Sequence, residues 1–325
     1  SGLGIGKPDY HLEVGSGSHA DQTAAVMTGF EDVCEREEPD AVVVVGDVNS
    51  TIAAGLVAKK LGITLAHVEA GLRSGDRSMP EEINRVATDA ITDLFFTTEK
   101  SARENLLTEG HTEDQVHFVG HVMIDNLYYQ LQQLEQEGSP PFAAKLKPKL
   151  PGRYLCLTMH RPANVDNPET LRSLLEGIRD IAEQLPVVFP CHPRTKSRID
   201  RFGLQHMVRT DTDTTESLDN GIILTEPLGY NDFLGLWKDA ACVLTDSGGI
   251  QEETTALQIP CITLRENTER PITVEIGSNV LAGQDVNRLK EELQKALNGK
   301  GRKGQVPPLW DGRASERIVD VLVGR

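Results

Sequence analysis

Residues 241–264, ACVLTDSGGIQEETTALQIPCITL, run from an apolar strand through a sharp Ser-Gly-Gly turn into a helix beginning near Ile250 and on to a second apolar strand. Strand, helix, strand in so short a span is a βαβ unit. Ser247, Gly248 and Gly249 sit where strand hands over to helix. Backbone N–H groups there converge beside the positive end of the helix dipole, which suits one phosphate-sized anion. Glu252 and Glu253 follow within a turn, where a carboxylate is well placed to accept hydrogen bonds from ribose hydroxyls. A plainer account stands beside this one: the glycines let the chain turn, and the glutamates favour a helix N-terminus.

The alternation continues outward from that unit. Upstream, YLCLTMHRP at 154–162 is a strand ending in a His-Arg-Pro turn, and NPETLRSLLEGIRDIAEQL at 167–185 is a helix capped by Asn167. Leu171, Leu174, Leu175, Ile178, Ala182 and Leu185 form its apolar face. VVFPCHP at 187–193 and IILTEPLGY at 222–230 add strands, and a helix over 285–298 and a short one around 315–323 close the chain. In the first half, a loop opens the sequence and a helix follows from about Asp21 to Arg36. AVVVVGD at 41–47 reads as a strand buried on both faces, followed by a helix to Gly62 and the strand ITLAHVE at 63–69. Pro80 starts a helix carrying Glu81, Glu82, Asn84 and Arg85, and LFFTTEKS and VHFVGHVMID repeat the alternation. The stretch 128–151 changes character toward Pro, Lys and Gly and marks a junction. The expectation is α/β architecture with two Rossmann-like domains. The first covers 1–150, with the closing helix 313–325 packed back on it, and the second covers 151–312.

Composition narrows the function. At 325 residues the chain has room for two cores. Its 33 Lys plus Arg against 49 Asp plus Glu, a formal charge of -16, argue against a nucleic-acid or anionic-membrane surface. The five cysteines have no paired spacing, no signal-peptide pattern opens the chain, and no apolar run approaches the roughly 20 residues of a membrane span. These features point to a cytoplasmic protein with reduced, buried thiols.

In both halves polar residues collect just after strands: Asp47 and Glu69 in the first, His160, His192 and Ser247 in the second. Parallel sheets bind ligands at the carboxyl ends of their strands, so the expected site is a cleft between two such edges. Asp47, Glu69 and Glu81 suit general acid/base chemistry if they share a site, although each singly also suits a helix cap, a strand end or a first helical turn. His160 and His192 are candidates for phosphate or nucleobase contact, or are turn histidines; with Cys191 they lack zinc-ligand spacing. Arg265 and Arg270 flank the polar loop RENTERP, where an arginine can neutralise a diphosphate or simply lie in solvent. Phe233 and Tyr230 line a base pocket or pack in the core.

Four ordered motifs, GDVNST from Gly46, HVEAGLRSGDRSMPEEINR from His67, HRPANVD from His160, and DSGGIQEE with RENTERP from Asp246, resemble the non-hydrolysing UDP-N-acetylglucosamine 2-epimerases across nearly the whole chain. The resemblance implies the two-Rossmann architecture of B-type glycosyltransferases and a UDP-sugar in the interdomain cleft. It implies no metal, no nicotinamide and no other cofactor. It further implies interconversion of UDP-N-acetylglucosamine and UDP-N-acetylmannosamine, by elimination of UDP to a 2-acetamidoglucal and re-addition, in cell-envelope polysaccharide synthesis by a homodimer. Asp47, Glu69 and Glu81 would be its acid/base carboxylates, with His160 in the catalytic set and contacting the nucleotide-sugar. Ser247, Gly248 and Gly249 would hold the diphosphate, Glu253 the ribose, Arg270 the sugar-diphosphate region, and Phe233 the uracil, mainly through its backbone.

Two departures accompany the resemblance. Family members begin with a strand and a Gly-Thr-Arg-Pro-Glu-like turn, absent before Gly2, so the first sheet is expected to be incomplete. The His-Arg stretch continues Pro-Ala-Asn-Val-Asp, which implies no allosteric activation by a second UDP-sugar. The rival expectations are a hydrolysing relative, a sibling acting on a diacetamido uronic acid, a retaining glycosyltransferase, and a non-catalytic UDP-binding module.

Overall fold

The computed structural model describes residues 6–210 and 216–324, which form two compact units. The opening residues 1–5 of the expected first loop lie outside the described residues. Of the described residues, one unit comprises 6–125 with 308–324, the other 126–210 with 216–307. The division therefore falls inside a helix at 125/126, upstream of the junction expected at 150.

In the first unit, α1 (His19–Glu37), β1 (Ala41–Val45), α2 (Asn49–Lys60), β2 (Thr64–Val68), α3 (Pro80–Asp89), β3 (Leu94–Thr97), α4 (Lys100–Thr108) and β4 (Val116–Phe118) alternate. The strands form one parallel sheet in the order β1-β2-β3-β4. Pro80 takes the first position of α3, its missing N–H costing nothing there. β1 departs from expectation. Val42 and Val44 are buried with Cys34, Val57 and Leu65, whereas Val43 and Val45 are 46% and 50% exposed. A run of β-branched residues fits a doubly covered strand, but among the described residues β1 is the sheet edge and core packs on one face only.

VHFVGHVMID is also shorter as a strand than its composition suggests. β4 stops at Phe118, and α5 (Val122–Glu137) begins four residues later. The closing helix packs on this same unit. Ile318 joins Ala66, Val68 and Phe96 in one apolar cluster, Trp310 donates through Nε1 to the Thr98 carbonyl (3.1 Å), and Asp125 accepts from the backbone N–H of Ala314 (3.0 Å).

The second unit continues α6 (Pro141–Leu146), β5 (Leu155–Thr158), α7 (Pro162–Val165), α8 (Pro168–Ala182), β6 (Val187–Pro190), α9 (Pro193–Arg201), β7 (Ile222–Thr225), α10 (Tyr230–Trp237), β8 (Cys242–Thr245), α11 (Gly248–Ala256), β9 (Cys261–Thr263), α12 (Pro271–Glu275), β10 (Asn279–Leu281) and α13 (Val286–Leu297). The helix at the end of the chain, α14 (Ala314–Leu322), is the one packed on the first unit. Asn167 caps α8 as expected, accepting from the N–H groups of Glu169 (2.9 Å) and Thr170 (3.0 Å). Its leucines 171, 174 and 175 are fully buried, each worth roughly 1.5–3 kcal/mol in apolar burial. Leu185 lies past the helix end and is only half-buried.

The parallel order is β10-β9-β8-β5-β6-β7. From β5 the chain winds one way through β6 and β7, and from β8 the other way through β9 and β10. The switch point therefore lies between β5 and β8, where crossover helices diverge to opposite faces and open a crevice at the strand ends. All five cysteines are buried and free, and no described helix is long and apolar enough to cross a membrane.

Candidate active site

The switch point sits under the motifs singled out in the second unit. His160 follows β5, and Asp246 and Ser247 follow β8, the two strands on either side of the crevice. Ser247 is the N-cap residue of α11 but makes no side-chain cap, and its N–H donates back to Thr245 Oγ1 (2.9 Å). Gly248 is the first helical residue, without a left-handed φ, and a Cβ added there meets nothing within 4 Å. The described fold thus gives no steric reason for a glycine at 248, and what the missing side chain leaves is open approach to the helix N-terminus.

Glu253, 3% exposed on α11, accepts from the Tyr230 hydroxyl (2.7 Å) at the start of α10. Burial and then the neighbouring Glu253 push the Tyr230 hydroxyl well above its ordinary pKa, so it stays a donor. Phe233 lies one turn along the same helix and is half-buried. Glu252, 2% exposed, is ion-paired with Arg270 Nε (2.7 Å) immediately before α12. Arg265 instead pairs with Glu269 (2.9 Å). Burial opposes ionisation of Glu269, but Arg265, with Arg161 and Arg270 behind it, outweighs that and holds the carboxyl below its usual range. The His192 ring caps α9, accepting from Arg194 N–H (3.2 Å), and lies 5.8 Å from the His160 ring between centroids.

The first unit builds a different kind of edge. Gly46 adopts φ +68°, a left-handed turn that suits glycine, and delivers Asp47 beyond β1. Asp47 is no helix cap: α2 starts after Val48 with no side-chain cap, and the Asp47 carboxylate is ion-paired with Arg85 of α3. Arg85 also holds Glu82, and Glu82 accepts from the N–H groups of Ser74 (3.0 Å) and Gly75 (3.1 Å), pinning the loop before α3. Burial opposes the Glu82 carboxylate, yet those N–H donors and Arg85 hold its pKa low. Asp47 and Glu81 share the wall of a cavity of about 410 Å³ with His19, Gln22, Asn49 and Asn84. Asn84 donates to the Asp47 carbonyl (3.0 Å). Glu69 stands at the end of the adjacent β2 with φ +67°, a rare conformation for a residue with a side chain, and does not line that cavity.

Beneath this edge is a buried cluster that the motif reading overlooked. His67, fully buried on β2, lies 2.8 Å through Nε2 from the Gly46 carbonyl and 2.7 Å through Nδ1 from Asp89 of α3. Asp89 also pairs with Arg73 (2.7 Å) and accepts from Gly71 N–H (3.1 Å). Burial disfavours the charged Asp89, but His67 and Arg73 prevail and depress its pKa. The turn that presents Asp47 therefore rests on a histidine tied to α3. Arg85 and Asp89, four apart on one helix face, were the available signal. Among the described residues no group of three or more His, Cys, Asp or Glu is placed to hold a metal ion.

Comparison with known proteins gives this arrangement its family. The family model for UDP-N-acetylglucosamine 2-epimerase matches residues 1–323. A UDP-N-acetylglucosamine 2-epimerase of Methanococcus maripaludis is 42% identical, over 99% of this chain and 86% of that one. A UDP-2,3-diacetamido-2,3-dideoxy-D-glucuronate 2-epimerase of Pseudomonas aeruginosa is 36% identical, over 98% and 85%. The crystal structure of the Methanocaldococcus jannaschii UDP-GlcNAc 2-epimerase, in complex with UDP-GlcNAc and UDP, is similar with a TM-score of 0.82 at 42% identity, covering 99% of this chain and 86% of that one. With two Rossmann-like parallel sheets and matches spanning nearly its whole length, the chain belongs to the UDP-N-acetylglucosamine 2-epimerase family.

Proposed function

We propose that the chain interconverts UDP-N-acetylglucosamine and UDP-N-acetylmannosamine without hydrolysis, by eliminating UDP and adding it back. The observation that carries this reading is the pairing, in one chain, of an open helix N-terminus at a switch point with a separate sheet edge that ends in carboxylates.

In the proposed reaction a carboxylate of the first unit removes the proton from carbon 2 and the bond from carbon 1 to the UDP oxygen breaks, leaving 2-acetamidoglucal and UDP. A group on the other face then returns a proton to carbon 2 as the UDP oxygen rejoins carbon 1. Inversion thus needs at least two positioned acid/base groups, and Asp47, Glu69 and Glu81 are the candidates. Asp47 and Glu81 are supported by their shared cavity, and Glu69 by its strained backbone. On the nucleotide side, the Ser247 hydroxyl, which caps nothing, and the N–H groups of Gly248 and Gly249 hold the diphosphate, Glu253 the ribose hydroxyls, Phe233 the uracil, and Arg270 and His160 the sugar-diphosphate region. Buried, free cysteines support a reducing, cytoplasmic setting, and a homodimer is the assembly expected.

Incubation with UDP-N-acetylglucosamine in deuterated water, followed by NMR of the products, tests the proposal. The expected product is UDP-N-acetylmannosamine with deuterium at carbon 2. Free N-acetylmannosamine would make the chain a hydrolysing enzyme, and turnover of only a diacetamido uronate would move it to the sibling activity. UDP binding without any turnover would leave a binding module.

A further inference from the structure

Asp246 has no exposure to solvent, and three hydrogen-bond donors and one histidine ring converge on its two carboxylate oxygens. The donors are the backbone N–H groups of His160 (2.9 Å) and Arg161 (2.8 Å) and Asn164 Nδ2 (3.1 Å), and His160 Nδ1 stands at ion-pair distance from Oδ1 (3.1 Å). Asn164 donates onward to the Leu264 carbonyl (2.8 Å), tying the turns after β5, β8 and β9 together. Burial opposes the Asp246 charge, but the His160 ring and the two N–H groups outweigh it and keep the carboxyl ionised. An ionised carboxylate only accepts, so a neutral ring that stands 3.1 Å from it through Nδ1 is favoured with its proton on that nitrogen. Its neighbour has the opposite tautomer: His192 accepts Arg194 N–H on Nδ1, so its own proton is on Nε2. Among the described residues, Asp246 and His192 are the titratable groups with a contact to the His160 ring, and Arg161 is next along the chain.

We propose that Asp246 is a positioning residue that holds His160 as the Nδ1–H tautomer, so that Nε2 is the nitrogen presented to the diphosphate of the nucleotide-sugar. The ligand rests on the function proposed above; the tautomer does not. Nε2 takes a proton from solvent, donates to the departing diphosphate and gives the proton back to solvent once the UDP oxygen has rejoined carbon 1, with Asp246 balancing the charge without itself taking the proton.

The test uses the full chain labelled with ¹⁵N-histidine. Two-bond ¹H–¹⁵N correlation at about pH 8 distinguishes the tautomers of neutral rings, and His160→Gln and His192→Gln identify the two residues. The expected result is Nδ1–H for His160 and Nε2–H for His192, with the His160 Nε2 resonance moving when UDP is added. Asp246→Asn turns an amide NH₂ toward Nδ1, shifts His160 to Nε2–H, and lowers kcat by about 100-fold with KM changed less than about threefold. Nε2–H in the unaltered protein, a folded Asp246→Asn with the tautomer unchanged, a flipped tautomer with kcat intact, or bound UDP that leaves Nε2 unmoved would each overturn the proposal. If Asp246→Asn does not fold, the unaltered protein decides. Absence of epimerase turnover with the NMR results as expected counts against the proposed reaction alone.

Discussion

The two sheet edges are built on opposite principles. In the second unit the strand order reverses between β5 and β8, so the backbone itself makes a crevice, and the groups facing it include helix N–H donors that need no titration to act. In the first unit the described order β1-β2-β3-β4 has no reversal, and the edge is made of side chains that hold one another: Asp47 by Arg85, Arg85 by Glu82, and the Gly46 turn by His67 and Asp89. A dipole at a helix end suits binding a permanent anion. Moving a proton needs a group that titrates, and a carboxylate doing so in a partly buried place needs a partner to fix its geometry. The difference suggests a division of labour, with the nucleotide and its departing diphosphate served in one unit and proton transfer at carbon 2 in the other.

The sharpest way to break this comparison is to remove the acids. Asp47→Asn and Glu81→Gln are each expected to lower kcat by about 100-fold or more while UDP affinity, measured by calorimetry, stays within about threefold. Equal losses in turnover and UDP binding would end the division of labour.

Removing the cation between the acids tests stability next. Arg85→Met leaves Glu82 buried without its charge partner, a loss of about 3 kcal/mol in urea unfolding at neutral pH. The pKa of Glu82 is lower in the folded protein, so the stability it adds is complete above the unfolded value of about 4.3 and is lost as pH falls through the folded one. The cost of Arg85→Met is therefore expected to shrink as pH is lowered toward about 3. A pH-independent cost would mean that Arg85 acts through packing alone.

On the nucleotide side, Glu253→Gln is expected to weaken UDP about tenfold and to weaken 2′,3′-dideoxy-UDP hardly at all, since a charge-assisted hydrogen bond contributes roughly 1.5–3 kcal/mol. Equal losses for both ligands would remove Glu253 from the ribose. The smallest effect belongs to Gly248→Ala. With nothing within 4 Å of the new Cβ, stability should change by less than about 0.5 kcal/mol, while UDP binding weakens severalfold because the methyl group stands before the helix N-terminus. Unchanged binding would show that the ligand approaches elsewhere.

Local order was legible in the residues. Asn167 before Pro168 announced a capped helix, Pro80 announced the start of α3, and apolar runs followed by polar residues marked the strand ends where His160 and Ser247 stand. These signals depend on the 3.6-residue and 2-residue periods of the backbone, which neighbours in sequence impose on one another. Composition misled for β1: four valines in a row record β-propensity, whereas coverage of each face depends on what packs there.

The partners of the candidate side chains were not legible at all. Asp47 meets Arg85 across 38 residues, and His160 meets Asp246 across 86. Sequence by itself determined the alternating elements, the capped helices and the candidate residues after the strands. Tertiary structure alone decided that β5 and β8 are neighbours, that Asp47 is ion-paired rather than a helix cap, and that Nδ1 of one histidine ring faces a buried carboxylate while Nδ1 of the ring beside it accepts a backbone N–H. Crossover connections set those pairings, and a crossover brings distant strand ends together without any periodic trace in the residues between them.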